Sequence, residues 1–159
     1  MTLSRTATMV WIAVSLSATA VTTSIILALP MATDLLIEVE NQPGTLARVT
    51  AAISDAGVNI SAATCTRPGD TACLHILVKH PEAAKHALAI AGVTVGSERE
   101  VVVIEADDRP GALADMARRV AEAGVNLDLL YLATKTRIVF GSSDLAGLRE
   151  ALGVRADES

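Results

Sequence analysis

Aromatic residues are nearly missing from this 159-residue chain: Trp11, Tyr131 and Phe140 are the whole set. So few rings leave no platform on which unpaired bases could stack, which sets aside a reader of single-stranded nucleic acid. A basic excess is missing too. Thirteen Lys and Arg stand against eighteen Asp and Glu, a net charge of -5. Binding to phosphate backbones needs the opposite balance, clustered on one face. Cysteine is limited to Cys65 and Cys73, with no Cys-x-x-Cys, so no thiolate metal motif is present. The two flank the turn Thr66–Ala72 and are expected to face each other across a hairpin, free in a reducing compartment and able to pair in an oxidising one. His75, His80 and His86 lack a ligand spacing and read as solvated or satisfied side chains. The chain has no nucleophile elbow, no phosphate-cradling glycine loop with its lysine and no His-Glu-x-x-His helix. No enzyme activity, catalytic residue, cofactor or metal site is therefore expected.

Charge is absent from Thr6 to Thr33, and "MVWIAVSLSATAVTTSIILALP" within that span is long enough as a helix to cross a bilayer. Three readings of residues 1–33 stand. A secretory signal would use Arg5 and the small residues Ala18-Thr19-Ala20. A membrane anchor would use residues 9–30, although its many Ser and Thr weaken it. Translation starting at Met31 would remove the segment, because "MATDLLIEVE" opens directly into a strand. The last reading is placed first, with a cytoplasmic protein as its consequence and membrane attachment as the alternative.

What the sequence does contain is a repeat. "NQPGTLARVTAAISDAGVNI" from Asn41 returns as "DRPGALADMARRVAEAGVNL" from Asp108. Pro43 and Pro110, Gly44 and Gly111, Leu46 and Leu113, Gly57 and Gly124, and Asn59 and Asn126 all keep one offset of 67 residues. A constant offset over a whole unit signals duplication of a small domain. Units of this size are marginal alone, since a domain of about 60 residues buries only about 60% of its unfolded surface. Two of them packed together would be steadier.

Each unit has the same predicted elements. "LLIEVE" is a strand, Asn41 to Gly44 is turn chemistry, and apolar residues at Leu46, Val49, Ile53 and Ala56 mark a helix ended by Gly57. Strands follow over 58–66 and 72–79, then a helix opened by Pro81 and closed by Gly92, then a short strand over Val93–Val95. The second unit runs through "VVVIEA", a helix from Gly111 to Ala123, "VNLDLLYLAT", "TRIVFGS" and a helix from Ser143 to Leu152, with its last strand short or missing. The expected fold class is α+β: two tandem ferredoxin-like βαββαβ domains, 34–97 and 98–159, each an antiparallel sheet with helices on one face. Fold alone does not give function.

With "NQPGTL" and "AGVNI" in one unit and "DRPGAL" and "AGVNLDLLYLAT" in the other, both halves resemble ACT domains, the small modules that bind amino acids in enzymes of amino-acid metabolism. The second half is similar to the serine-sensing domain of phosphoglycerate dehydrogenases. The resemblance covers Leu35 to about Leu152 and implies a stand-alone regulator or sensor of a small amino acid, acting on an effector protein. It also implies ACT pairing within the chain or in a homodimer. The alternative from another class is a ligand-free oligomerisation or adaptor module.

The resemblance places the ligand at the loops between paired domains. Its candidate residues are Asn41, Gln42, Pro43, Gly44, Thr45, Leu46, Asn59 and Ile60 in the first half. In the second half they are Asp108, Arg109, Pro110, Gly111, Ala112, Leu113, Asn126 and Leu127. The physical logic is independent of the likeness: the unpaired N–H groups at a helix start suit a carboxylate, and Asp108 suits an ammonium. Taken singly, Asn and Asp at such positions are also ordinary turn formers. The family's assisting histidine is matched by Val39 and Ala106, a departure that removes the support for serine as the ligand.

Overall fold

The computed structural model describes residues 32–68 and 71–154. The expected leader, apart from its last two residues, and the turn at 69–70 lie outside the described residues, so the three readings of residues 1–31 are not addressed by it. Among the described residues no helix is long and apolar enough to cross a membrane.

The described residues begin with four strands and two helices: β1 (Ala32–Glu40), α1 (Thr45–Asp55), β2 (Ile60–Thr66), β3 (Thr71–Val78), α2 (Pro81–Ile90) and β4 (Val95–Glu105). Then come α3 (Ala112–Glu122), β5 (Leu129–Ala133), β6 (Arg137–Gly141) and α4 (Leu145–Leu152). All pairings are antiparallel, and the strands form one six-stranded sheet in the order β2-β3-β1-β4-β6-β5. The βαββα order and the helix-covered antiparallel sheet agree with the sequence.

The organisation differs in one respect. Of the strand expected at Val93–Val95 only Val95 is extended, and it runs on without a break into the strand expected at Val101–Ala106, giving the single strand β4. Its first part pairs with β1, from Ala32 opposite Val101 to Ile37 opposite Val95. Its last part pairs with β6, from Val102 opposite Phe140 to Glu105 opposite Arg137. The boundary expected between residues 97 and 98 falls inside it. A register shift between Leu36 and Ile37 marks a bulge beside Gly96, where an added Cβ would meet the Leu36 carbonyl at 3.5 Å.

Strand alternation sorts the apolar residues into three clusters. Leu35, Ile37, Leu74, Ile76 and Val78 point to α1 and α2 and pack on Val49, Ile53, Ala84 and Leu88. Val102, Ile104, Ile138 and Phe140 point to α3 and α4 and pack on Met116, Val120, Leu148 and Leu152. The residues between them in sequence, Leu77, Val101, Val103 and Val139, turn to the opposite face and meet Ala32, Ala62 and Tyr131. The sheet therefore bends until its two halves face each other and its edges β2 and β5 come into contact. The helix pairs lie outside.

That inner face holds a buried polar group. Asp34 is 1% exposed; Tyr131 O–H donates to its Oδ1 at 2.7 Å, and His75 Nδ1 lies 2.8 Å from its Oδ2. Burial, then the Asp34 charge beside it, pushes the Tyr131 phenol well above its usual range, while Arg99 acts the other way. A buried carboxylate is tolerable only when its oxygens are satisfied, and here each oxygen has a partner.

Two expectations are corrected by register and depth. Cys65 sits opposite Leu74 and Thr66 opposite Cys73, so the two cysteines lie on opposite faces of the hairpin and do not face each other; both are free. Leu46, taken as part of the apolar helix face, is 53% exposed, while its counterpart Leu113 is half-buried against the second cluster. Leu46 stands in the first turn of α1, past the layer that Val49 and Ile53 fill.

Candidate functional site

The loops before α1 and α3 repeat one geometry. Gly44 and Gly111 are the helix N-caps, with φ of 90° in both and ψ of -15° and -10°. In this left-handed region a Cβ costs about 1–2 kcal/mol, which is why Pro-Gly is needed twice. Neither helix start is capped by a side chain. In the first loop Thr45 N–H closes the turn on the Gln42 carbonyl and Arg48 N–H begins the helical ladder on Gly44. Leu46 and Ala47 lie between, with N–H groups that α1 itself leaves unpaired.

Around this helix start is an open cleft of ≈ 640 Å³. Glu38, Val39 and Glu40, the end of β1, form one wall, and Gly92, Val93 and Thr94, the link from α2 to β4, form another. Gln42, Pro43, Gly44, Thr45 and Arg48 complete it. Among the described residues the Arg48 side chain forms no hydrogen bond or ion pair. A cation and free helix-start N–H groups thus meet at one open cleft, an arrangement that suits a carboxylate; Ile37 and Val39 pack toward the helices, so alternation along β1 turns the side chains of Glu38 and Glu40 to the other face.

The structure brings together Gln42, Pro43, Gly44 and Thr45 from the candidates of the first half. Asn41 and Asn59 are exposed and lie outside this lining, as does Leu46. Ile60 is half-buried and packs on the first core cluster. Sequence reasoning missed Glu38, Glu40 and Arg48. All three are exposed, and only the fold brings the end of β1, the start of α1 and the α2–β4 link to one cleft.

The second loop is arranged differently. Asp108, Arg109, Pro110 and Gly111 are exposed, Ala112 is buried, and Leu113 and Leu127 pack on the second core cluster. Asn126 is exposed, and its carbonyl accepts a bond from Ser142 Oγ at 2.7 Å. Arg109 donates to Asp115 Oδ2 at 2.6 Å and lies 4.0 Å from Asp107. The hydrogen bond from Arg109 holds the Asp115 carboxyl below its ordinary value and the same bond raises Arg109.

A second depression, ≈ 510 Å³, runs between α1 and α2 along Ala51, Ala52, Ala56, Ala87, Ile90 and Ala91. It is mostly apolar, with Arg48, Asp55 and His86 also lining it, and Ile90 in its lining is 76% exposed. Among the described residues no group of His, Cys, Asp and Glu could hold a metal ion.

Comparison with known proteins agrees with this architecture. No curated protein matches the chain. A solved protein from Bacteroides thetaiotaomicron is 29% identical, with a TM-score of 0.71 over 79% of this chain and 88% of that one. The regulatory subunit of aspartate kinase from Thermus thermophilus is 22% identical, with a TM-score of 0.59 over 80% and 96%. The corresponding subunit from Thermus flavus is 23% identical, with a TM-score of 0.58 over 80% and 94%. These last two share the fold. The model of the ACT domain matches residues 33–91, and so the stretch from the second residue of β1 to the C-cap of α2 is similar to an ACT domain.

Proposed function

We propose that this chain is a stand-alone regulatory protein that binds a small free amino acid in the cleft at the start of α1 and acts on another protein. The observation that carries the reading is the open cleft in which Arg48 and the uncapped start of α1 meet. The amino-acid carboxylate would lie at the N–H groups of α1 and the Arg48 side chain. The ACT match supports a regulatory role, and the repeated Pro-Gly geometry supports reading the second half as another unit of the same kind, joined through β4. Intramolecular pairing of the halves, or a homodimer, and a cytoplasmic setting go with that reading.

The test is a thermal-shift screen of the full chain against the twenty L-amino acids. A binder present at about 100 times its dissociation constant adds about 2.7 kcal/mol of stability, and Arg48→Ala should remove most of that gain. If no amino acid raises the melting temperature, or if Arg48→Ala responds like the wild type, the cleft is not the site. The mostly apolar groove between α1 and α2, with Ile90 exposed in its lining, favours a second reading: an adaptor that docks a partner protein through its helices.

A further inference from the structure

Both charges on the outer stripe of α1 run against the helix dipole. Arg48 stands in the first turn, where free N–H groups already make that end positive, and Asp55 is the last residue, where carbonyl oxygens make it negative. Among the described residues neither side chain has a partner within the molecule to offset this. The second half differs at matched positions. At the offset of 67 residues α3 has Asp115 in its first turn, Arg118 and Arg119 where α1 has Ala51 and Ala52, and keeps the final acid as Glu122. Arg118 bonds back to Asp115 at 3.4 Å. One half thus presents a charged, self-paired helix face, and the other presents small apolar residues between two unanswered charges.

We propose that the groove between α1 and α2 is where a second copy of the chain docks, with the two α1 helices packed antiparallel about a two-fold axis. Arg48 and Asp55 are two turns apart on one stripe, about 10 Å along the helix. Their midpoint falls between Ala51 and Ala52. A two-fold axis through that point sets Arg48 of each copy against Asp55 of the other, so both unfavourable end charges are answered at once. The alanines at the crossing let the helix axes approach at the short end of the usual range of about 8–10 Å. Ile90, 76% exposed in the groove lining, is covered by the second copy. Such a self-complementary contact closes at two subunits. Exposed ion pairs contribute little affinity, so the apolar lining supplies the association and the charges fix its direction. The inference stands apart from the reading of the cleft: Arg48 lines both surfaces, but Ala51 and Asp55 line the groove alone.

The experiment is sedimentation velocity of the full chain across a dilution series, with the melting temperature of each variant as the check on folding. The wild type should pass reversibly from monomer to dimer. Asp55→Arg, which suits the end of a helix but sets like charges against each other across the axis, should weaken the dimer at least about tenfold. The double exchange Arg48→Asp, Asp55→Arg should bring association back close to the wild-type level, a recovery that a purely structural role for Asp55 would not give. Ala51→Glu, at an exposed position, should give a folded monomer by blocking the close approach. A wild type that stays monomeric throughout would overturn the proposal and leave the groove to a different protein. So would a dimer whose dissociation constant is unchanged in Asp55→Arg and Ala51→Glu, which would put the contact on another face, or a folded double exchange that does not recover.

Discussion

Replacing Tyr131 by Phe removes one oxygen atom from the interface between the two halves of the sheet. The phenol donates at 2.7 Å to a carboxylate that is 1% exposed, and Tyr131 itself is 6% exposed. A hydrogen bond to a charged partner contributes about 1.5–3 kcal/mol net, and losing it leaves one oxygen of a buried anion without its donor. Asp34 keeps His75 at 2.8 Å, so the expected loss is about 2 kcal/mol, or about 5–10 °C in melting temperature. The pH dependence gives an independent check. The folded phenol titrates above its unfolded value of about 10, so the folded state holds its proton more tightly. Its contribution is complete below pH about 10 and is lost as pH rises from there through the folded value. Tyr131 is the sole tyrosine, so tyrosinate absorbance near 295 nm reports this residue and no other. The native chain should show no phenolate at pH 10–11, and the same chain in guanidinium should titrate near 10. A native phenol that titrates near 10, with Tyr131→Phe within about 0.5 kcal/mol of wild type, would refute the buried bond.

Gly44→Ala, at φ 90°, should cost about 1–2 kcal/mol in urea denaturation through backbone strain alone, since a Cβ there would touch nothing; an unchanged midpoint would mean that the loop relaxes. Leu46→Ala, 53% exposed, should cost under about 1 kcal/mol, whereas Phe140→Ala, fully buried among β6 neighbours and α4, should cost about 3–5 kcal/mol by the same assay. Equal costs for the two would contradict the burial assigned here.

Much of the fold is legible in the sequence because its signals are local. Pro81 and Gly92 bracket α2, Pro-Gly opens α1 and α3, and alternation marks the strands. The exposed polar run Gly96–Glu98 hid the continuity of β4: a strand that leaves one layer and enters another loses its alternating pattern at the crossing, and so looks like a break. Helix periodicity gave the azimuth of Leu46 correctly as apolar but carries no information on where along the axis the packed layer ends. The cleft was half legible. Its loop residues are a motif, but Arg48 and the end of β1 join them only when β1, α1 and the α2–β4 link meet. The Asp34 cluster left no local trace, since its partners are 41 and 97 residues away.

Because β4 serves both halves, its side chains must keep phase through the whole crossing. Val95 packs on the first core cluster, Val101 and Val103 face inward between the halves, and Val102 and Ile104 enter the second cluster. Deleting one residue from the run between Gly96 and Glu100 would turn every later side chain of the strand over, moving Val102 and Ile104 from beneath α3 and α4 into the inner seam and Val103 out of it. The strand is a shared clock for two cores. Substitutions within either half can be absorbed locally, but a change in the length of β4 is read at once by both, and the bulge at Gly96 is the point where that phase is set.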